Sequence, residues 1–501
     1  MKTGLLRWLI TFAVMLVAVV EVLDMTIVNV ALQPMMGTLG ATRDQITWVL
    51  TSYIVSAAIM MPLTGFLVDR LGRKRLLLMN IIGFMLASAL CGISNTLIEI
   101  VFFRILQGVF GASLIPLSQY IMLDTFPKEE RGKAMAIWGI GIMVGPILGP
   151  TLGGYITDLW NWRWIFFINI PVCILAFFMA LAVIEETPIK YRPIDWPGLI
   201  LMCLGVGFLQ FFLDRGNTDD WFESPHIIMA AVISAISLTI FIWRGIKKPD
   251  NIINIRLFAN YNLSAACLVL IMFMMGLFSI VAMQPLMMQE LMGYTAKNAG
   301  LVMAPRGLSS ALGMMLVARF ITRYDPRLFV LVGLVISSAC GFLMSGFMLS
   351  ISFKLMAYVS LIQGFGIGMF FVPLSTLAFS TLKQEENAEA SGLFNFARNL
   401  GTSIGISLVS TYVARSSQQN WNYLVAHLQP SNPVLQAFLQ KHHWTLQQPE
   451  TLHYFGVNIA RQASMVAFVN AYWVVAACFL LALPLVFILK KPTVVKVEFV
   501  E

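Results

Sequence analysis

The heptapeptide Val30-Ala31-Leu32-Gln33-Pro34-Met35-Met36 returns 251 positions later as Val281-Ala282-Met283-Gln284-Pro285-Leu286-Met287. Leu106-Gln107-Gly108 returns as Ile362-Gln363-Gly364 after 256 positions, and the stretch from Phe126 to Ala134 resembles Leu382 to Ala390 at the same spacing. The Pro-Leu-Ser triplets beginning at Pro116 and Pro373 keep the same order. Several matches in one order at nearly one offset mark a duplicated chain whose halves run in parallel orientation.

The surroundings of these repeats are apolar. Of 501 residues, 58% are hydrophobic and only 12% charged, against about half and a quarter in soluble domains. This composition indicates an integral membrane protein and excludes a disordered chain, a disulfide scaffold, a nucleic-acid binder and a cytosolic enzyme. Charge-poor stretches long enough to cross about 30 Å of hydrocarbon number fourteen. They run near 8–34, 46–68, 76–95, 98–123, 134–157, 164–184, 196–213, 225–243, 261–289, 298–318, 328–349, 355–381, 390–413 and 466–489. Alternating strands of barrel type are absent, so all are expected to be helices. Lys2 and Arg7 before the first run resemble a signal peptide, but its length and the lack of a cleavage pattern predict a retained helix.

The expected fold class is therefore all-α integral membrane, with two pseudo-symmetric six-helix bundles and two extra central helices. Residues 1–187 form the first bundle, 188–252 the extra pair and 253–501 the second bundle, with a long outer loop over 414–465. Basic residues crowd alternate connections: Lys2 and Arg7; Arg70, Arg73, Lys74 and Arg75; Lys128, Arg131 and Lys133; Lys190 and Arg192; Arg244, Lys247 and Lys248; Lys490, Lys491 and Lys496. The positive-inside rule places both termini in the cytoplasm and accounts for the net charge of +8 as topology, without nucleic acid. The six cysteines fall singly within predicted spans, so neither a disulfide framework nor a metal spacing arises.

Two facing bundles related by an axis along the membrane normal imply a solute transporter with a cavity between halves. No phosphate-binding loop occurs, so the drive is an ion gradient, a substrate gradient or a separate subunit. A membrane receptor or embedded enzyme is the alternative class, and no catalytic or metal constellation supports it.

The loop Gly65-Phe66-Leu67-Val68-Asp69-Arg70-Leu71-Gly72-Arg73-Lys74-Arg75 resembles the signature loop of the major facilitator superfamily, with a degenerate counterpart from Ala318 through Thr322 to Arg327. Leu23-Asp24-Met25-Thr26-Ile27-Val28-Asn29, Arg104-Ile105-Leu106-Gln107-Gly108 and the run Gly139, Gly141, Gly145-Pro146, Gly149-Pro150, Gly153-Gly154 resemble motifs of its fourteen-span drug:proton antiporters. Trp162 to Pro171 and Leu213-Asp214-Arg215-Gly216 look most like the EmrB-like branch. The resemblance implies a proton-coupled multidrug exporter of a bacterial cell inner membrane, driven by the proton gradient with no cofactor or metal. It also implies an EmrA-like periplasmic adaptor and an outer-membrane channel as partners. A proton-coupled importer on the same fold is the nearest rival.

Each motif also carries a physical expectation. Carboxylates in hydrocarbon are costly, so Asp24 and Glu21 must face a cavity, a partner or a proton. Asp24 lies roughly 15 Å and Arg104 roughly 9 Å below the outer helix ends, so the two can meet. They form either a proton-coupling pair or a static buried ion pair, and Asp24→Asn is expected to fold normally while abolishing coupling. Glu21, where the family commonly has a neutral residue, either shares the proton or stabilises a cationic substrate. Met275 and Ser360 stand at the repeat positions of Asp24 and Arg104, which confines charge coupling to the first half. Asn29, Gln107, Met275, Gln363, Asn395 and Arg398 are candidate cavity residues for lipophilic substrates. Met275 belongs to a methionine-rich and aromatic set that serves either the cavity or packing. Gly65, Asp69, Arg70, Gly72 and Arg73 at the inner surface, with Gly141, Gly145, Pro146, Gly149 and Pro150 in the fifth helix, are candidate gate residues, through a charge latch and close helix contact respectively.

Overall fold

Local capping chemistry sets the helix boundaries. Thr42 with Gln45 and Thr96 with Glu99 form reciprocal capping boxes, and Asn260, Thr295, Ser352 and Asp325 each accept a backbone N–H at the start of a helix. A single residue, Gly72, separates the second and third long helices, with φ at 81°, a region that a Cβ disfavours.

This computed structural model describes residues 4–127, 130–191, 193–248, 251–321 and 323–490. Thr322, Lys128, Arg192, Lys491 and Lys496 fall outside them, as do the side chains of Pro146 and Pro150. Among the described residues there are helices and no strand. Twelve helices are long and apolar enough to cross a membrane: α1 Gly4–Leu39, α2 Trp48–Leu71, α3 Arg73–Ile93, α4 Leu97–Thr125, α6 Trp164–Val183, α7 Trp196–Arg215, α8 Pro225–Lys247, α9 Tyr261–Leu291, α10 Lys297–Phe320, α11 Pro326–Met344, α12 Phe353–Phe379 and α14 Pro449–Val486. Two further helices, α5 Arg131–Leu159 and α13 Asn387–Val425, pack among them. Glycine in α5 and Asn, Ser and Arg in α13 dilute their apolar character.

The duplication is visible in the packing. In the first bundle α1 lies against α5 and α6, α2 against α4, and α3 against α4 and α6. In the second, α9 lies against α13 and α14, α10 against α12, and α11 against α12 and α14. The pair α7–α8 sits beside both bundles. Gly207 approaches Ile59 of α2, Thr51 donates to Asp214, and Gln210 donates to Ser403 of α13 at 2.7 Å.

One end of the molecule carries the Arg70–Arg75 segment and the chain start. At this basic end the two bundles are joined. α5 crosses α10, where Gly132 meets Ile321 and Gly139 meets Met314, and Trp138 stacks on Phe371 with ring centroids 6.1 Å apart. One core runs through both bundles here. At the far end the first bundle has a separate core built from Ile27, Ala31, Met35, Val49, Trp162 and Phe166. The bundles therefore close against each other at the basic end.

The stretch 414–465 differs from the expected loop. α13 runs on to Val425, a short helix spans Pro433–His442, and α14 starts at Pro449. Hydropathy does not register these extensions because they are polar. They are held by each other, with Ser417 and Ser464 sharing a hydrogen bond of 2.8 Å and Arg461 donating to the Leu291 carbonyl at 2.6 Å.

Candidate functional site: buried charge centres and a closed basic end

Asp24, on α1, is completely buried and surrounded by donors from two helices, α4 and α6. Arg104 Nη1 of α4 donates to Asp24 Oδ2 at 2.6 Å. Gln107 Nε2 donates to Oδ1 at 3.0 Å, and Asn169 Nδ2 of α6 donates to the same oxygen at 2.7 Å. Around this shell, Ser88 of α3 accepts from both amides and donates to the Phe166 carbonyl. Arg104 is also fully enclosed. Its Nε donates to the Val49 carbonyl at 3.0 Å, and its guanidinium stacks over Tyr53 at 4.3 Å from the ring centroid. Such an arrangement meets the two conditions for keeping charge in hydrocarbon, a counter-charge and saturated hydrogen bonds. Its hydrogen bonds run from α1 to α2, α4 and α6, and through Ser88 to α3, so any change in the Asp24 charge is felt by five of the first bundle's helices.

Glu21 lies three residues earlier on the same helix and makes a different contact. α4 breaks at Ala112–Ser113 because Pro116, in the following segment, lacks an N–H and crowds the carbonyl four residues back. The segment restarting at Leu114 exposes backbone donors at its N-terminus, and Ile115 donates its N–H to Glu21 Oε2 at 3.0 Å. A carboxylate at a helix N-terminus is favoured by both hydrogen bonding and the helix dipole. The cation acting most strongly on Glu21 is Arg398, from α13 of the opposite bundle. The two carboxylates of α1 therefore differ in their cations: both take hydrogen bonds within their own bundle, but the cation paired with Asp24 belongs to that bundle, whereas the one that acts on Glu21 belongs to the other. The repeat-related Pro373 produces no such break, since α12 continues through it.

The closure of the basic end is also polar. Asp124, at the end of α4, accepts from Arg73 of its own bundle and from Gln384 of the second. Arg73 also donates through Nε to the Glu185 carbonyl at 3.1 Å. The Asp69 carbonyl accepts the Lys190 N–H at 2.7 Å. Gly65 lies so close to α13 that a Cβ there would come within 2.5 Å of the Glu389 Cα. Deeper in, Ser391 donates to the Pro116 carbonyl at 2.7 Å and Asn395 donates to Gln119 Oε1 at 2.6 Å, both across the interface.

Two duplicated bundles closed against each other beside the Gly65–Arg75 segment, with two buried carboxylates in one half, specify a known architecture. The chain belongs to the Major Facilitator Superfamily, whose family description matches residues 14–406. It is 36% identical over 488 residues to the multidrug export protein EmrB of Escherichia coli (strain K12), covering 97% of this chain and 95% of that one. It is 35% identical to the fatty acid resistance protein FarB of Neisseria gonorrhoeae, covering 98% and 97%. Among solved structures, the human organic anion transporter MFSD10 (TETRAN) superposes with a TM-score of 0.65 at 14% identity, over 97% of this chain and all of that one, a likeness of fold.

Within this facilitator the remaining candidate residues separate by position. Asn29 is exposed on α1, where its amide turns back to the Met25 carbonyl. Gln107 is not at a cavity surface but belongs to the Asp24 shell. Met275 is half-buried against Gly405 of α13. Asn395 serves the closed interface, Arg398 acts on Glu21 through its charge, and Gln363 is buried inside the second bundle. Gly141, Gly145 and Gly149 lie along α1, and a Cβ on Gly149 would meet Thr26 Oγ1 at 2.0 Å. Arg70 is half-buried next to the Gly72 turn. Sequence reasoning passed over Asn169, Ser88, Gln119 and Asp124. The available signal was an isolated amide or acid in an apolar run, which hydrocarbon tolerates only with a partner.

Proposed function

We propose that this chain is a proton-coupled antiporter that exports lipophilic compounds, including cationic and weakly acidic ones, from the cytoplasm or inner leaflet by alternating access. The observation that carries the reading is Asp24: a fully buried carboxylate, ion-paired to Arg104 and ligated by two amides, whose repeat position holds Met275. The full-length likeness to proteins named for multidrug export supports the direction of transport. On this reading α5 and α13 also cross the membrane, giving fourteen spans in a bacterial cell inner membrane with both termini cytoplasmic. The basic end is then the inner one, and the conformation described is outward-facing. No cofactor is needed. A periplasmic adaptor and an outer-membrane channel complete the export path, and the helical projection formed by α13, Pro433–His442 and α14 offers the surface for the adaptor.

A proton on Asp24 removes one charge of the pair and one or more acceptor sites, which loosens α1 from α4 and α6. α1 packs on α5 through small residues and can then move relative to its bundle, carrying Glu21 away from the Ile115 N–H and from Arg398. Release of the proton restores the pair and returns α1. Proteoliposomes with an imposed pH gradient test the reading: an inside-acid gradient should drive lipophilic dye into vesicles that contain outward-pumping protein in everted orientation. Uptake driven by the opposite gradient would indicate import, and absence of gradient-driven movement for a broad dye panel would sink transport of this class.

A further inference from the structure

The charges inside the two bundles do not balance. In the first, Arg104 is paired with Asp24; across the interface, the carboxylate of Glu21 acts on Arg398. Arg306 of α10 sits in the second bundle at 7% exposure, and among the described residues no carboxylate acts on it; the ionisable groups that do are Tyr472 and Cys340. A guanidinium does not shed its proton, so a cation is retained there without a counter-charge.

Its donors are also left over. Arg306 Nη2 donates to Gln284 Oε1, and Gln284 Nε2 donates to Ser360 Oγ at 3.2 Å. Among the described residues Arg306 Nε and Nη1 have no hydrogen-bond partner, nor does either polar atom of Gln363, which is fully buried. α10 and α12 touch at this level, since a Cβ on Gly364 would fall 2.0 Å from the Arg306 carbonyl oxygen. That contact puts Gln363 and Arg306 on adjoining turns. Gln363 is the repeat mate of Gln107. In the first bundle, a guanidinium and that glutamine hold the chain's own carboxylate; in the second, a guanidinium and the matching glutamine stand at a similar depth, about 10–15 Å below the far helix ends, while Met275 replaces the acid. An unpaired buried cation with free donors is strongly stabilised by an anion that joins it.

We propose that Arg306 and Gln363 form a binding site for one small anionic group, a carboxylate or a halide, inside the second bundle. As a carboxylate it belongs to an organic acid; as a halide it is a bound inorganic ion. Both sources satisfy the same donors, with the bidentate face of the guanidinium favouring carboxylate.

Binding to the purified full-length protein in lipid nanodiscs tests this without any transport assay. The probes are labelled decanoate, competed by decanol, decyltrimethylammonium and chloride at fixed ionic strength, and labelled chloride by itself. Saturable decanoate binding that resists decanol and the cation, falls about 10- to 100-fold in Arg306→Gln and survives in Arg306→Lys supports the site with a carboxylate ligand. Saturable chloride binding with the same dependence on Arg306, and none for decanoate, supports it with an inorganic ligand. If Arg306→Gln fails to fold, Gln363→Leu and the decanoate–decanol comparison on the unaltered protein carry the test. Absence of saturable binding of either anion to the unaltered protein, or equal binding by folded variants that lack these side chains, overturns the proposal. Failure of dye transport with anion binding intact would count against the export reading alone.

Discussion

Substituting Asp24 with Asn separates a proton-coupling role from that of a static strut. The carboxylate accepts from Arg104, Gln107 and Asn169, whereas a carboxamide offers one oxygen and an NH2. If the oxygen keeps Arg104, the new amide nitrogen faces two amide nitrogens, so Gln107 or Asn169 must turn over or lose a partner. The Arg104 charge is also left buried and uncompensated. Removing one member of a buried ion pair costs about 3–5 kcal/mol. Asp24→Asn should therefore be clearly destabilised, which revises the expectation from sequence that folding is untouched. Arg104→Gln should cost a similar amount. The double substitution removes both charges, leaves three amides able to bond each other, and should keep a loss of only about 2 kcal/mol, which corresponds to a coupling energy of about 4–8 kcal/mol. Unfolding of the four proteins in mixed micelles, followed by tryptophan fluorescence, measures the cycle, and substrate accumulation under a pH gradient in proteoliposomes measures coupling. The double variant is expected to be stable and unable to build a gradient. A double variant that accumulates substrate like the unaltered protein would make the pair a strut, and strictly additive stability losses would show that the two charges do not act together.

Other substitutions probe the interface and the loops. Gly65→Ala places a Cβ about 1 Å too close to the Glu389 backbone, so the basic ends must part, and a cysteine at Ala388 should label faster from the cytoplasmic side; unchanged labelling would mean that the contact yields locally. Gly392→Ala, whose nearest neighbour is the Met61 carbonyl at 3.1 Å, should do less. Asp124→Asn weakens ties to both Arg73 and Gln384, and for a latch worth about 1–3 kcal/mol the same labelling should rise roughly 5–150-fold; Asp69→Asn should act in the same direction, and silence from both would place the latch elsewhere. Glu21→Gln keeps an acceptor for the Ile115 N–H but removes the charge facing Arg398, so export of cations should fall relative to neutral compounds, whereas an equal fall for both would leave Glu21 as a helix cap. At the basic end, hydrogen bonding from Arg244 holds the Asp195 carboxyl below the usual carboxylate range. The tie contributes in full above about pH 4 and is lost only as pH falls through the lowered folded value; a stability–pH profile from pH 3 to 7 should lose that acid limb in Asp195→Asn.

Apolar run length and the repeat of Val30–Met36 at Val281–Met287 determined, by themselves, a helical membrane chain in two related halves, because hydrocarbon selects long charge-free helices residue by residue and duplication leaves its offset in the order of residues. The costly groups were legible for the same reason: Asp24, Glu21, Arg104, Arg306 and Arg398 each break an apolar run and so demand partners. The identity of those partners was not legible. Asn169 reaches Asp24 from 145 positions away, and Gln384 reaches Asp124 from 260, and which face each presents depends on how the bundles pack. Only the tertiary structure decided that Gln107 serves Asp24 and not a cavity, that Asn395 seals the basic end, and that the polar stretch 414–465 folds as paired helices. Only the same packing shows that Arg104 has its counter-charge and that Arg306 has none among the described residues, since a counter-charge in a low-dielectric interior is a matter of a few ångströms and not of position along the chain.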